Sequence, residues 1–423
     1  MEMLVIEGGK PLAGDVAISG SKNASLPILI ATLLTREPCV IRNVPQLTDS
    51  QFLLELLQSF GAEVEVHGGS VHIHCAKIKN QLAHYDVVRK MRASVLVLAP
   101  LLARMGEAVV SLPGGCAIGT RPVDIHLDGL KQLGAVIDVK DGYIHASLKD
   151  GCFIGSEFEL GLPSVGATEN LIMAAVLARG TTVLKKVAKE PEVVELCDAL
   201  NKAGARISGV ATANLVIEGV TSLSGISHCI RPDRVEAGTF IALAAATKSA
   251  ITLPNVYLPD IANVMARFSE TGVQFEPMAE KGRLKVIAPS RLIASAVETA
   301  AYPGFPTDMQ AQFMASMTVA FGVSTIYERI FENRMMHVPE LRRMGAQIEL
   351  RNGVAKVRGQ EKLSSAPVMA TDLRASAGLV IAALAAHGVS EIRRVYHLDR
   401  GYEALEEKIA RLGANIKRCQ QEN

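Results

Sequence analysis

The sequence predicts an α/β chain of two domains, each built from three β-α-β-α-β-β repeats around buried helices. Three observations carry this expectation. A glycine-ended unit recurs six times, at Gly61, Gly134, Gly204, Gly272, Gly345 and Gly413, with a spacing of about 70 residues. Each copy holds a helix that is apolar nearly all round, which suits burial better than a surface position. The composition is 49% hydrophobic but only 4% aromatic, so the cores must be built from Ala, Val, Leu and Ile.

Within one unit the elements follow in order. The first is the small-residue apolar helix: SKNASLPILIATLL from Ser21, RKMRASVLVLAPLLA from Arg89, PSVGATENLIMAAVLA from Pro163, RPDRVEAGTFIALAAA from Arg231, PTDMQAQFMASMTVA from Pro306 and TDLRASAGLVIAALAAH from Thr371. A short β segment comes next, then a second, amphipathic helix such as VPQLTDSQFLLELLQSF. The repeated Gly caps that helix, where a left-handed backbone residue is needed. A hairpin such as VEVHGGSVHIH closes the unit. The sixth copy reaches Asn423 before its last strand, and MLVIEGG near the start resembles LVIEGV at Leu215. The N-terminal strand is therefore expected to complete the sixth unit. Grouping the units by three gives one domain over residues 22–231 and another joining 1–21 to 232–423. Two crossings, near Ser21 and Arg231, would form a hinge beside an interdomain cleft.

Composition excludes several classes of function. The net charge is +1, with no long basic run or aromatic cluster, so no nucleic-acid groove is expected. The seven cysteines are scattered and form no CxxC pair, which implies free thiols in a reducing compartment and no zinc site. Residues Met1–Lys10 do not read as a signal peptide, and the best apolar stretch, Ala93 to Ala103, is too short for a bilayer. A cytoplasmic protein with no membrane partner is expected. Cys39, Cys197 and Cys229 sit in apolar or amphipathic stretches and read as core thiols.

The chemistry concentrates where the buried helices begin. Helix N-termini expose unpaired N–H groups and the positive end of a dipole, so converging starts favour an anion. Ser164, Asp233 and Asp308, taken singly, read as N-caps. Lys22, Arg92 and Arg374 oppose the dipole, and an anionic ligand explains them better than helix stability does. Loops add Arg121, Arg334 and Arg400, whose guanidinium groups suit bidentate pairing with phosphate or carboxylate. Each alone could be a surface ion pair; their recurrence at equivalent repeat positions implies a ligand with several negative charges.

SLPGGCAIGTRP, residues 111–122, stands apart from every periodic pattern. Its glycines suit a loop that folds over a ligand, and a thiol at Cys116 beside Arg121 would ionise readily. A Cys–His hydrolase fits less well, because His126 follows on a helical stretch without a paired Asn or Asp motif.

GSKNASLP at Gly20, VRKMRAS at Val88, LPGGCAIGTRPVDIH at Leu112, PSVGATEN at Pro163, RPDRVEAGTF at Arg231, FPTDMQAQ at Phe305, IFENRMMHVPEL at Ile330, TDLRASAG at Thr371 and HLDRGYE at His397 follow one another along the whole chain. In this order they resemble the enolpyruvyl transferase family. The resemblance implies two inside-out α/β domains and transfer of the enolpyruvyl group of phosphoenolpyruvate to the 3-hydroxyl of UDP-N-acetylglucosamine, toward peptidoglycan. It implies that Lys22 and Asn23 contact phosphoenolpyruvate, with Arg121 and Arg400 on its phosphate and carboxylate. Arg92, then Arg121, Pro122, Val123, Asp124 and Ile125, then Leu162, Pro163, Ser164 and Val165, with Asp308 and Ile330, would bind the UDP-sugar. Cys116 would donate the proton and can form an adduct with phosphoenolpyruvate. Asp308 would take the proton of the 3-hydroxyl, and Arg334, Asp372 and Arg374 would complete the site. No metal or organic cofactor is implied. Some members carry a basic residue where Leu162 stands, so the diphosphate contact there must come from elsewhere.

Two other readings stay open at this point. A branch of the same fold uses shikimate 3-phosphate as acceptor, but lacks the PGGCAIG segment. A non-enzymatic repeat protein would need a continuous exposed helix face instead of six buried helices.

Overall fold

The computed structural model describes residues 2–113 and 123–420. They fall into two compact units, residues 20–113 with 123–231, and residues 2–19 with 232–420. Each unit has its own apolar core.

Six sheets share one plan. In the first, Cys39–Arg42 lies between Ser227–Cys229, its parallel neighbour, and the antiparallel hairpin Glu63–His67 and Ser70–His74. The last keeps this plan but takes one strand from the other end of the chain: Glu2–Gly8 lies antiparallel between Ala386–Arg393 and Asn415–Gln420. The outer strands Ala13–Asp15 and Ser227–Cys229 are exchanged relative to chain order. Ala13–Asp15 precedes the first buried helix but pairs with Ala250–Pro254, whereas Ser227–Cys229 precedes the fourth and pairs with Cys39–Arg42. Each stays within its own unit. All six repeat glycines adopt positive φ, from 88° to 101°, the conformation that ends the amphipathic helix without a Cβ penalty.

The central helices of the second unit, Arg234–Ala246, Gln310–Met317 and Leu373–Ala385, touch one another pairwise. Every residue from Val235 to Ala246 is buried. Small residues let the backbones approach: a Cβ on Gly378 would lie 2.9 Å from the Ala311 carbonyl oxygen. In the first unit Lys22–Ala31 and Val165–Ala175 hold the equivalent places. The helix expected from Arg89 is divided into a 3-10 stretch, Arg92–Val97, and an α-helix, Leu98–Met105. Pro100 explains part of the change, because it has no N–H to give the Leu96 carbonyl.

Cys39 and Cys197 are buried, but Cys229 is exposed, which corrects the expectation of a core thiol. Along Ser227–Cys229 the side chains alternate, and it is His228 that turns inward, onto Glu195 at 2.9 Å. Among the described residues no helix is long and apolar enough to cross a membrane.

Candidate active site

In the unit containing residues 232–420, the expected site residues gather at the starts of the central helices. Asp308 lies in a single 3-10 turn, Thr307–Met309, ahead of the helix Gln310–Met317. It is not the N-cap residue of either element, those places being held by Pro306 and Met309, contrary to its plainest sequence reading. Arg334 Nη2 donates to Asp308 Oδ1 at 2.8 Å, and Arg374 Nε donates to Oδ2 at 3.1 Å. Both arginine side chains are closed off, at 7% and 3% exposed, while that of Asp308 keeps 23%, so the carboxylate is the member a ligand can reach.

Burial pushes the Asp308 carboxyl upward, but Arg334 and Arg374, aided by Arg234, outweigh it and hold the group well below the usual carboxylate range. The main chain is fixed as well: Gln312 Nε2 donates to the Asp308 carbonyl at 2.9 Å and to the Tyr402 hydroxyl at 3.1 Å. The Arg374 guanidinium carbon lies 5.4 Å from the centre of the Tyr402 ring.

Asp372 is the N-cap of Leu373–Ala385, its Oδ1 accepting from the N–H groups of Arg374 at 2.9 Å and Ala375 at 3.0 Å. Its Oδ2 accepts no hydrogen bond among the described residues. The buried His337 lies within electrostatic reach of Asp372 and Arg334. Burial first, and then Arg334, push its imidazole down to about 4 against the pull of Asp372, so it is neutral at pH 7. Burial also lowers His397, helped by Arg400 and opposed by Asp372, which places Arg400 and Asp372 in one neighbourhood. The exposed Ile330 donates its backbone N–H to Glu328 Oε1 at 2.8 Å.

In the unit containing residues 20–231, Ser21 caps the helix Lys22–Ala31 by accepting from Ala24 N at 3.3 Å. Lys22 Nζ reaches Asp49 Oδ2 at 2.9 Å, and both residues are buried. A cation at a helix start thus has a buried carboxylate from the next helix, Thr48–Ser59, as counter-charge. Asn23 is half-buried beside it. Arg92 opens its 3-10 stretch, which packs against both Lys22–Ala31 and Val165–Ala175. The latter helix also packs against Asp124–Gln132, so the segments holding Arg92, Val123, Asp124, Ile125 and Ser164 are on neighbouring elements. Val123 is buried, Ile125 half-buried and Asp124 exposed. Ser164 caps Val165–Ala175 by accepting from Ala167 N at 3.4 Å; Leu162 and Pro163 before it are exposed, and Val165 is half-buried. Cys116, Arg121 and Pro122 lie outside the described residues.

Sequence reasoning did not single out Asp49, His337 or Glu328. Asp49 in LTDSQF looks like any acid in a first helical turn, and only the fold brings it to Lys22. Among the described residues no group of three His, Cys, Asp or Glu side chains is placed to hold a metal ion.

Residues 6–409 match the family model described as EPSP synthase (3-phosphoshikimate 1-carboxyvinyltransferase). The chain is 52% identical over 421 residues to the UDP-N-acetylglucosamine 1-carboxyvinyltransferase of Desulfovibrio desulfuricans, covering 100% of both chains. It is 51% identical over 419 residues to the protein of the same name from Coxiella burnetii, covering 99% of this chain and 96% of that one. Its fold is similar to the crystal structure of the enolpyruvyl transferase NikO from Streptomyces tendae, with a TM-score of 0.89 at 24% identity over 99% of this chain and 98% of that one. Sequence match along nearly the full length, six repeats on one sheet plan, and cations at the starts of buried helices agree: the chain belongs to the enolpyruvyl transferase family.

Proposed function

We propose that the chain transfers the enolpyruvyl group of phosphoenolpyruvate to the 3-hydroxyl of UDP-N-acetylglucosamine, releasing phosphate, as the first committed step of peptidoglycan synthesis in the bacterial cytoplasm. The observation that carries this reading is about half identity, over 99–100% of the chain, to relatives named for that activity.

The chemistry sets the roles. The methylene carbon of phosphoenolpyruvate must be protonated before C2 becomes electrophilic, and the Cys116 thiol supplies that proton. Attack of the 3-hydroxyl on C2 forms the new C–O bond, and Asp308 takes the hydroxyl proton. Loss of a proton from the new methyl group and departure of phosphate then collapse the tetrahedral intermediate. Lys22, Asn23, Arg121 and Arg400 hold the donor's phosphate and carboxylate and offset charge in both stages. Arg92, Arg121 to Ile125, Leu162 to Val165, Asp308 and Ile330 hold the UDP-sugar, with Arg334, Asp372 and Arg374 ordering the pocket.

The double pairing of Asp308 bears on its task. A carboxylate held by two arginines is a weak base but is always ionised and well oriented. It suits a step in which the hydroxyl becomes acidic only as its oxygen bonds to C2.

Incubation of the enzyme and phosphoenolpyruvate with each acceptor tests the proposal. Phosphate should appear with UDP-N-acetylglucosamine and not with shikimate 3-phosphate, and the reverse pattern would overturn the assignment.

A further inference from the structure

Glu328 follows the strand Val323–Tyr327 and is 8% exposed. Its backbone N–H donates to the Gly353 carbonyl at 3.0 Å, which fixes it to the neighbouring hairpin. Oε1 accepts from Thr299 Oγ1 at 2.9 Å, from Ile330 N at 2.8 Å and from Phe331 N at 3.1 Å. Oε2 accepts from Thr307 Oγ1 at 2.9 Å. These partners are two hydroxyls and two backbone N–H groups, none of them charged. The Thr307 oxygen in turn accepts from Arg334 Nη1 at 3.0 Å, and the same guanidinium holds Asp308. Thr299 also accepts from Arg329 N at 2.9 Å.

One carboxylate therefore joins two segments that are separate in sequence. Its first oxygen shapes the turn carrying Ile330, and its second reaches the turn carrying Asp308. We propose that Glu328 is a positioning residue that sets the Asp308 turn against the Ile330 segment and so determines how the acceptor sugar nucleotide is held. This rests on the reading above, in which Asp308 and Ile330 serve the acceptor and not the donor. Without the carboxylate, two N–H groups and two hydroxyls lose their common acceptor, and the Arg334 anchor loses the hydroxyl orientation that Glu328 imposes.

The test compares Glu328→Ala, Glu328→Gln and Thr307→Val by steady-state kinetics, with UDP-N-acetylglucosamine binding measured by calorimetry in the absence of donor. Glu328→Ala should raise the acceptor KM and Kd about tenfold while the donor KM stays within about twofold. Glu328→Gln should recover acceptor binding to within about threefold, because its carbonyl still accepts from Ile330 and Phe331 and its amide can donate to Thr307. Thr307→Val cuts the second link together with the Arg334–Thr307 hydrogen bond, keeps the Ile330 turn on Oε1, and should raise the acceptor KM about threefold to fivefold. Should Glu328→Ala fail to fold, the other two variants decide the matter. Donor and acceptor KM rising together, or neither moving in Thr307→Val, would overturn the proposal. Failure of the underlying reading shows separately, as an unmodified enzyme with no turnover of UDP-N-acetylglucosamine.

Discussion

The two units solve the same electrostatic problem differently. In residues 20–231 one buried lysine, Lys22, meets one buried carboxylate, Asp49, contributed by the next helix of the same repeat. In residues 232–420 two buried arginines, Arg334 and Arg374, share the single carboxylate of Asp308, and each of the three comes from a different part of the chain. The first arrangement joins one buried cation to one buried carboxylate. The second sets two guanidinium groups on one carboxylate that is still partly open. A charge fixed in place by two partners can act on a ligand without reorganising.

Removing the shared carboxylate should have the largest effect. Asp308→Ala strands two desolvated guanidinium groups and should cost about 3 kcal/mol of stability by denaturant titration. Asp308→Asn keeps the shape and should still lower kcat about a thousandfold in single-turnover measurements. Near-normal turnover in that variant would remove Asp308 as the proton acceptor. Next in size is Lys22→Ala, which should raise the phosphoenolpyruvate KM at least about tenfold and leave the UDP-N-acetylglucosamine KM within about twofold. Equal losses on both substrates would mean that Lys22 does not discriminate between them.

The pH dependence sharpens the contrast further. Asp308 is held well below its unfolded value of about 3.9, so its pairing stabilises the fold above that value and fades only as pH falls through the lower, folded one. The profile of kcat/KM should therefore show no Asp308 limb down to about pH 4.5. Arg334→Gln removes the largest downward influence, and burial should then bring an acid limb into the measurable range. Identical limbs in both enzymes would contradict the assignment. The smallest effect concerns thiols. Burial pushes Cys39 up to about 11 and Cys197 up to about 12, so neither should react with iodoacetamide at pH 8. Cys229 should be modified slowly. Cys116 should be labelled by fosfomycin, the epoxide that alkylates this thiol in similar enzymes, and Cys116→Ala should abolish that labelling, as checked by peptide mass spectrometry.

The repeat was legible in the sequence because each of its signals is local. A left-handed glycine after an amphipathic helix and an apolar small-residue helix before it are visible within a few turns. The site was legible only through residues that contradict their local setting, such as Lys22 and Arg374 opposing a helix dipole. Residues that fit their setting stayed hidden. Asp49 looks like an ordinary first-turn acid, and Glu328 like a polar strand end, until the fold brings them to Lys22 and Thr307. Asp308 was misread as a cap for the same reason, since its two arginines lie 26 and 66 residues away. Cys229 was misread because a strand of three residues is too short for its alternation to show which face is inward.

The exchanged outer strands have a consequence for biosynthesis. As the polypeptide leaves the ribosome, residues 20–231 emerge with every strand their three sheets require, including Ser227–Cys229 for the first of them. The other unit must wait, with Glu2–Gly8 and Ala13–Asp15 unpaired until partners arrive hundreds of residues later. Translation thus favours completion of the inserted unit first, and the nascent leading segment is the stretch a chaperone would need to shield.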